Sequence, residues 1–188
     1  MAHEIEQFDG DYQFIAFDER AWHDLGLFVE GREDIGIAEA AAMLNLGHVT
    51  TEPLYTEQGE DTGFFATVRN RTRKDGTAER TFLGAVGARF HVSQDQELFE
   101  PYQSLIDAGT ASVSAIGLLK EGRRSILSMR LRGVDTEAEI VPGEGPTIGF
   151  INFAHAHYGT LRLHTGASAT RVVCQNTLNI FLGSGDAT

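Results

Sequence analysis

The chain has 188 residues, 41% hydrophobic and 22% charged, with a formal net charge of −12. That size and composition fit one soluble domain with a real core, and no apolar run approaches the roughly 20 residues that a membrane span needs. A single cysteine, Cys174, excludes an intrachain disulfide and suits a reducing cytoplasm, while the acidic balance excludes an indiscriminate nucleic-acid coat.

Residues 1–34 are acidic, with aromatics at Tyr12, Phe14, Phe17, Trp22 and Phe28. They are expected to form an irregular N-terminal arm docked on a single α+β domain over residues 35–188. Residues 35–46 are rich in Ala, Leu, Met and Glu and predict a helix closed by Gly47. A β-prone piece, VTTEPLYTEQGEDTG, follows. Residues 64–73 and 80–92 predict two strands, with Lys74-Asp75-Gly76 as the hairpin turn. Residues 93–108 predict a helix with Ser93 as N-cap, in which Pro101 marks a start or a kink. Residues 112–119 and 123–131 predict a second hairpin around Lys120-Glu121-Gly122, and residues 133–146 an exposed loop. Residues 148–155 and 160–165 predict two more strands, and residues 167–182 a terminal helix. The expected fold class is α+β: an antiparallel sheet of two basic hairpins plus further strands, with helices packed on one face.

Charge is segregated along this chain. Residues 1–68 hold fifteen acids against two bases, a local −13, whereas residues 69–132 hold eleven bases against seven acids, a local +4. On a strand, alternation places Arg69, Arg71 and Arg73 on one face. With Lys74, Arg80, Arg123, Arg124, Arg130 and Arg132 they form a candidate phosphate-binding surface, with Arg171 heading the terminal motif. The competing reading is a solvated sheet face that pairs with the chain's own surplus acids.

Other chemistry has weaker support. His155, His157 and His164 lie on consecutive predicted strands and could ligate a metal, but no HExxH or paired-Cys motif accompanies them. Cys174 sits in an apolar pattern and reads as a buried core residue beneath Gln175 and Asn176. Gly84 and Gly87 suggest a bulge or a close backbone approach, not a nucleotide fingerprint. No cofactor is expected.

The opening MAHEIE, the Trp22-His23-x-Leu25-Gly26 element, and the Leu83-Gly84-x-Val86-Gly87 strand with Phe90, Val92 and Gln96-Glu97-Leu98-Phe99 carry a resemblance. The run Arg171-Val172-Val173-Cys174-Gln175-Asn176-Thr177-Leu178 carries it most specifically. Together they resemble an uncharacterised phage/plasmid-like protein family. The chain departs from it by stopping ten residues after Leu178 and by its His155-Ala156-His157-Tyr158-Gly159 turn. The resemblance implies a mobile genetic element, a bacterial cytoplasm and DNA transactions, but no reaction. The order hairpin, helix, hairpin, Arg-headed helix is also similar to single-strand annealing recombinases.

The expected function is therefore non-enzymatic binding of nucleic acid, single-stranded DNA favoured, by a homo-oligomer. The alternatives are an acidic interaction module that engages a host protein, and a metal-dependent hydrolase or nuclease.

Overall fold

Every residue from Ala111 to Leu119 is buried, so the sheet that contains them must be covered on both faces. The computed structural model shows how. It describes residues 4–21, 25–32, 34–133, 137–138, 147–159, 161, 163–169, 172 and 174–183. The chain runs β1 (Gln7–Phe8), β2 (Asp11–Tyr12), β3 (Phe14–Ala16), β4 (Leu27–Phe28), α1 (Ile37–Ala42), β5 (His48–Tyr55), β6 (Asp61–Thr72) and β7 (Ala78–Gly87). Next come α2 (Asp95–Phe99), a 3-10 turn (Glu100–Tyr102), α3 (Gln103–Asp107), β8 (Ala111–Leu119) and β9 (Arg124–Leu131). It ends with β10 (Glu137–Ala138), β11 (Thr147–Ile148), β12 (Phe150–Ala156), β13 (His164–Ser168) and α4 (Gln175–Gly183). No described helix is long and apolar enough to cross a membrane.

The central sheet has the order β13-β12-β9-β8-β3-β4, antiparallel except for the β3–β4 pair. Strand alternation sends Ile15, Phe17, Val113, Leu127, Met129 and Phe153 to one face. There they pack with Ile37, Ala40 and Ala41 of α1 and with Phe99 of α2. Phe14, Ala16, Ala115, Ile126 and Ala154 point the other way and pack with Leu178 and Phe181 of α4. The fold is α+β as expected, but helices cover both faces of this sheet, not one. Strands that are apolar on both sides cannot leave either side to water.

The N-terminal segment is no irregular arm. Phe14, Ile15, Ala16 and Phe17 are all buried, and β3 pairs with β8 in the register Ile15↔Ile116. The helix expected over residues 35–46 is only the six residues of α1. The one expected over residues 93–108 is broken by the 3-10 turn that contains Pro101, since a proline interior to a helix removes a bond and clashes with the preceding turn. Its N-cap is Gln94, in a capping box with Glu97, instead of Ser93.

The two basic hairpins fall in different sheets. β5, β6 and β7 form a separate three-stranded sheet, whereas β8 and β9 belong to the central one. The smaller sheet lies across the hairpin ends of the larger. Thr67 Oγ1 donates to the carbonyl of His157 at 2.6 Å, just past β12. Opposite Thr67, Gly84 sits beside a register shift, and a side chain there would run into Tyr158. The expectation of a bulge or a close backbone approach holds at Gly84, where the approach requires glycine, but among the described residues no close approach is found at Gly87.

Candidate functional site

The inner face of β6 carries Thr67, Arg69 and Arg71, all buried. Arg69 is among the largest fully buried side chains of the protein. Its Nη1 donates to Asp95 Oδ2 at 2.7 Å and to the Leu46 carbonyl. Its Nε and Nη2 donate to the Gly122 carbonyl at 3.2 and 2.8 Å. Arg71 Nη2 donates to Glu6 Oε1 at 2.6 Å, and its guanidinium lies 3.9 Å over the Phe8 ring. These two arginines do not belong to an open phosphate-binding row. They are internal ties, and removing either from its partner would strand a buried charge.

The remaining bases are scattered. Arg73 bonds Glu79 and lies 3.9 Å from Asp9, Lys74 lies 2.6 Å from Asp11, and Arg80 pairs with Glu52. Lys120 lies 3.4 Å from Glu4, Arg123 3.3 Å from Glu121, and Arg132 3.2 Å from Asp34. Acids from the N-terminal third thus neutralise much of the basic stretch, and the charge segregation of the sequence is folded away. Arg124 is buried and bonds the Tyr158 hydroxyl at 3.1 Å. It is separated from Arg130 by roughly 20 Å of β9, taking about 3.3 Å per residue. Arg130 is half-buried. Arg171 lies outside the described residues. The nine described basic residues do not share one face. Exposed pairs are worth little, so Arg73, Lys74, Arg80, Arg123 and Arg132 could exchange their carboxylates for a ligand. Arg69 and Arg71 could not.

His155 and His157 do meet, ring edge to ring face, with centroids 4.7 Å apart. His157 Nε2 lies 2.8 Å from Asp95 Oδ1, so one carboxylate joins β6, α2 and the end of β12. Burial alone would push Asp95 up; Arg69 and His157 override it and hold the carboxyl far below the usual range. Burial lowers His155 to about 4, reinforced by His157 and Arg69. His164 does not join them. It pairs opposite Ala154 and packs against Phe181 on the other face of the sheet. Among the described residues no group of three or more His, Cys, Asp or Glu could hold a metal. Asp95 was legible in sequence only as a carboxylate in a helix's first turn.

The outer face of the three-stranded sheet is different in kind. Phe64, Ala66 and Val68 alternate along β6 away from Arg69. Phe82 pairs opposite Val68, and Arg80 opposite Asn70, so both lie on this outer face. Phe64 and Phe82 are each about half exposed, at 54% and 52%. Arg80 reaches across β6 to Glu52 on β5. Two solvent-facing phenyl rings, one of them beside an exchangeable arginine, are the most distinctive exposed side chains of this face, with Ala66 and Val68 buried between them. The sequence signal is the alternation of Phe64, Ala66 and Val68, on the strand face opposite Arg69, Arg71 and Arg73.

Cys174 is half-buried and immediately precedes α4, and is not packed inside it. Asn176 is exposed, and the side chain of Gln175 lies outside the described residues. Burial would raise the Cys174 thiol, but hydrogen bonds involving Thr177 lower it overall; its Sγ lies 3.6 Å from Thr177 Oγ1.

Residues 82–187 match a family described as a domain of unknown function, DUF932. The chain belongs to this family. The matched region covers more than half of the chain and contains Asp95, Gly122, His155 and His157, while Arg69 and Arg71 precede it. Among curated proteins and among solved structures, none matches the chain.

Proposed function

We propose that this DUF932 protein binds single-stranded nucleic acid on the outer face of its three-stranded sheet, without catalysing a reaction. The observation that carries the proposal is the pair of half-exposed rings, Phe64 and Phe82, on adjacent strands, with Arg80 two residues from Phe82 on the same face. Bases stack on aromatic rings of open sheets, each stack contributing about 1–3 kcal/mol, and an arginine beside them can take a phosphate. Phe82 pairs opposite Val68, four residues from Phe64, a separation of roughly 13 Å along the strand; the rings would receive non-adjacent bases. A phage or plasmid setting, with action in a bacterial cytoplasm, is part of this proposal and rests on the motif from Arg171 to Leu178. Single-stranded DNA is the favoured ligand.

Anisotropy with labelled single-stranded DNA tests the reading. Phe64→Ala with Phe82→Ala should weaken binding by tenfold or more, given two lost stacks. Arg80→Ala should lower the salt slope by about one phosphate. The slope itself should be shallow, because most cations are already neutralised. Absence of binding, or binding indifferent to both phenylalanines, would reject it.

A protein partner is the second reading. It is favoured by exposed Tyr55 beside the acidic β5–β6 connection, which holds Glu57 and Glu60 and runs into Asp61 at the start of β6. A host protein retained by the chain and lost with the Phe64 and Phe82 substitutions, with no oligonucleotide bound, would select it.

A further inference from the structure

The four edges of the two larger sheets are not equally protected. β4 has only two residues and β13 five. β5 contains Pro53, which has no N–H to offer, and at Val49 its backbone is clasped by Gln94. The Gln94 Nε2 donates to the Val49 carbonyl and its Oε1 accepts from the Val49 N–H, both at 2.9 Å. β7 is ten residues long and has neither proline nor lysine. Among the described residues, the backbone from Ala78 to Val86 hydrogen-bonds only to β6. Its register shift comes near Gly84, so the stretch from Ala78 to Phe82 pairs regularly with β6 and, among the described residues, has no strand on its other side. Such an edge is a template for another strand unless something blocks it.

The geometry points to a second copy of this chain as the occupant, adding β7 to β7 antiparallel about a two-fold axis through Thr81. The side-chain pattern rejects the two registers N-terminal to it and gives this one a specific contact across the axis. A two-fold perpendicular to the sheet keeps both outer faces on one side, so paired residues must face the same way and the axis must pass through a residue. Centring on Glu79 or Arg80 sets like charges directly opposite each other, which is unfavourable. Centring on Thr81 instead places the Arg80 guanidinium against Phe82 of the second copy, twice over. The joined sheet would have six strands, with all four Phe64 and Phe82 rings on one continuous face. The association itself does not depend on the nucleic-acid reading, and it is measured without nucleic acid.

Sedimentation velocity over a rising concentration series should show the wild-type chain passing from monomer to dimer. Phe82→Arg opposes two arginines and should remain monomeric. Adding Arg80→Glu to Phe82→Arg restores opposite charges across the axis and should recover the dimer. Both side chains are exposed, so circular dichroism should be unchanged in each variant. A wild-type chain that stays monomeric throughout, or a Phe82→Arg chain that associates like wild type, would overturn the interface. A double variant that stays monomeric would overturn the register.

Discussion

Arg69 and Asp95, 26 residues apart in sequence, form a buried ion pair at 2.7 Å that fastens the small sheet to the helical layer of the large one. Both side chains are essentially inaccessible, and His157 holds the second carboxylate oxygen. Buried pairs of this kind often contribute little relative to apolar substitutes, yet breaking one strands a charge.

Arg69→Ala should therefore destabilise the fold by about 3–5 kcal/mol, read as a lowered midpoint in denaturant unfolding. Arg69→Met combined with Asp95→Asn should cost clearly less than the sum of the single changes, because the double variant leaves neither charge of the pair unpaired. Additive effects would show that the pair is not coupled.

Stability should fall with acid in two stages. His155 drops from an ordinary 6.5 to about 4 in the fold, so the native state favours its neutral form. Its contribution is present above pH 6.5 and is lost as pH falls toward 4, on the order of 2 kcal/mol after allowance for solvent access. Asp95 is held below its ordinary 3.8, so its contribution persists above that pH and disappears as pH falls further. His155→Phe should flatten the first stage alone in chemical unfolding measured across pH.

The N-terminal segment should prove indispensable. Phe14 is 1% exposed and packs with Ala115 and Ile126. Phe14→Ala should cost about 3–5 kcal/mol in thermal or denaturant unfolding. Deleting residues 1–19 removes β3 and bares the β8 edge, and should abolish cooperative unfolding. A truncated chain that still unfolds cooperatively would contradict this placement.

Cys174 should react readily with a thiol reagent in the native protein. Its thiol is only partly buried, and hydrogen bonds involving Thr177 outweigh that burial and lower its pKa below the ordinary value, which raises the thiolate fraction. Thr177→Val removes a hydroxyl that accepts from the Cys174 N–H at 3.1 Å and should slow the reaction by returning the pKa toward its ordinary value.

Much of this architecture was legible in local pattern. Lys74-Asp75-Gly76 marks the β6–β7 turn, with Gly76 at φ 85°, and Lys120-Glu121-Gly122 marks the β8–β9 turn. The β-prone apolar run of residues 148–155 marks β12, which spans Phe150–Ala156. The terminal helix expected over residues 167–182 is found over Gln175–Gly183, because the β-branched residues that precede it suit strand and helix alike. The candidate site was less legible. Period-two spacing correctly put Arg69 and Arg71 on one face of β6, and it equally put Phe64 and Val68 on the other.

Which of those faces meets the protein is a different question, and spacing cannot answer it. Arg69 is interior because Gly122, 53 residues away, presents a carbonyl to it, and because Asp95 supplies the charge that makes its burial tolerable. Glu6 does the same for Arg71 from 65 residues away. The sequence by itself determined the hairpins, their turns and the segregation of charge, since these follow from neighbouring residues. Only the tertiary structure decided that acids and bases would cancel across the fold and that a pair of phenylalanines would be left facing water, because partners remote in sequence set the free energy of burying a charge.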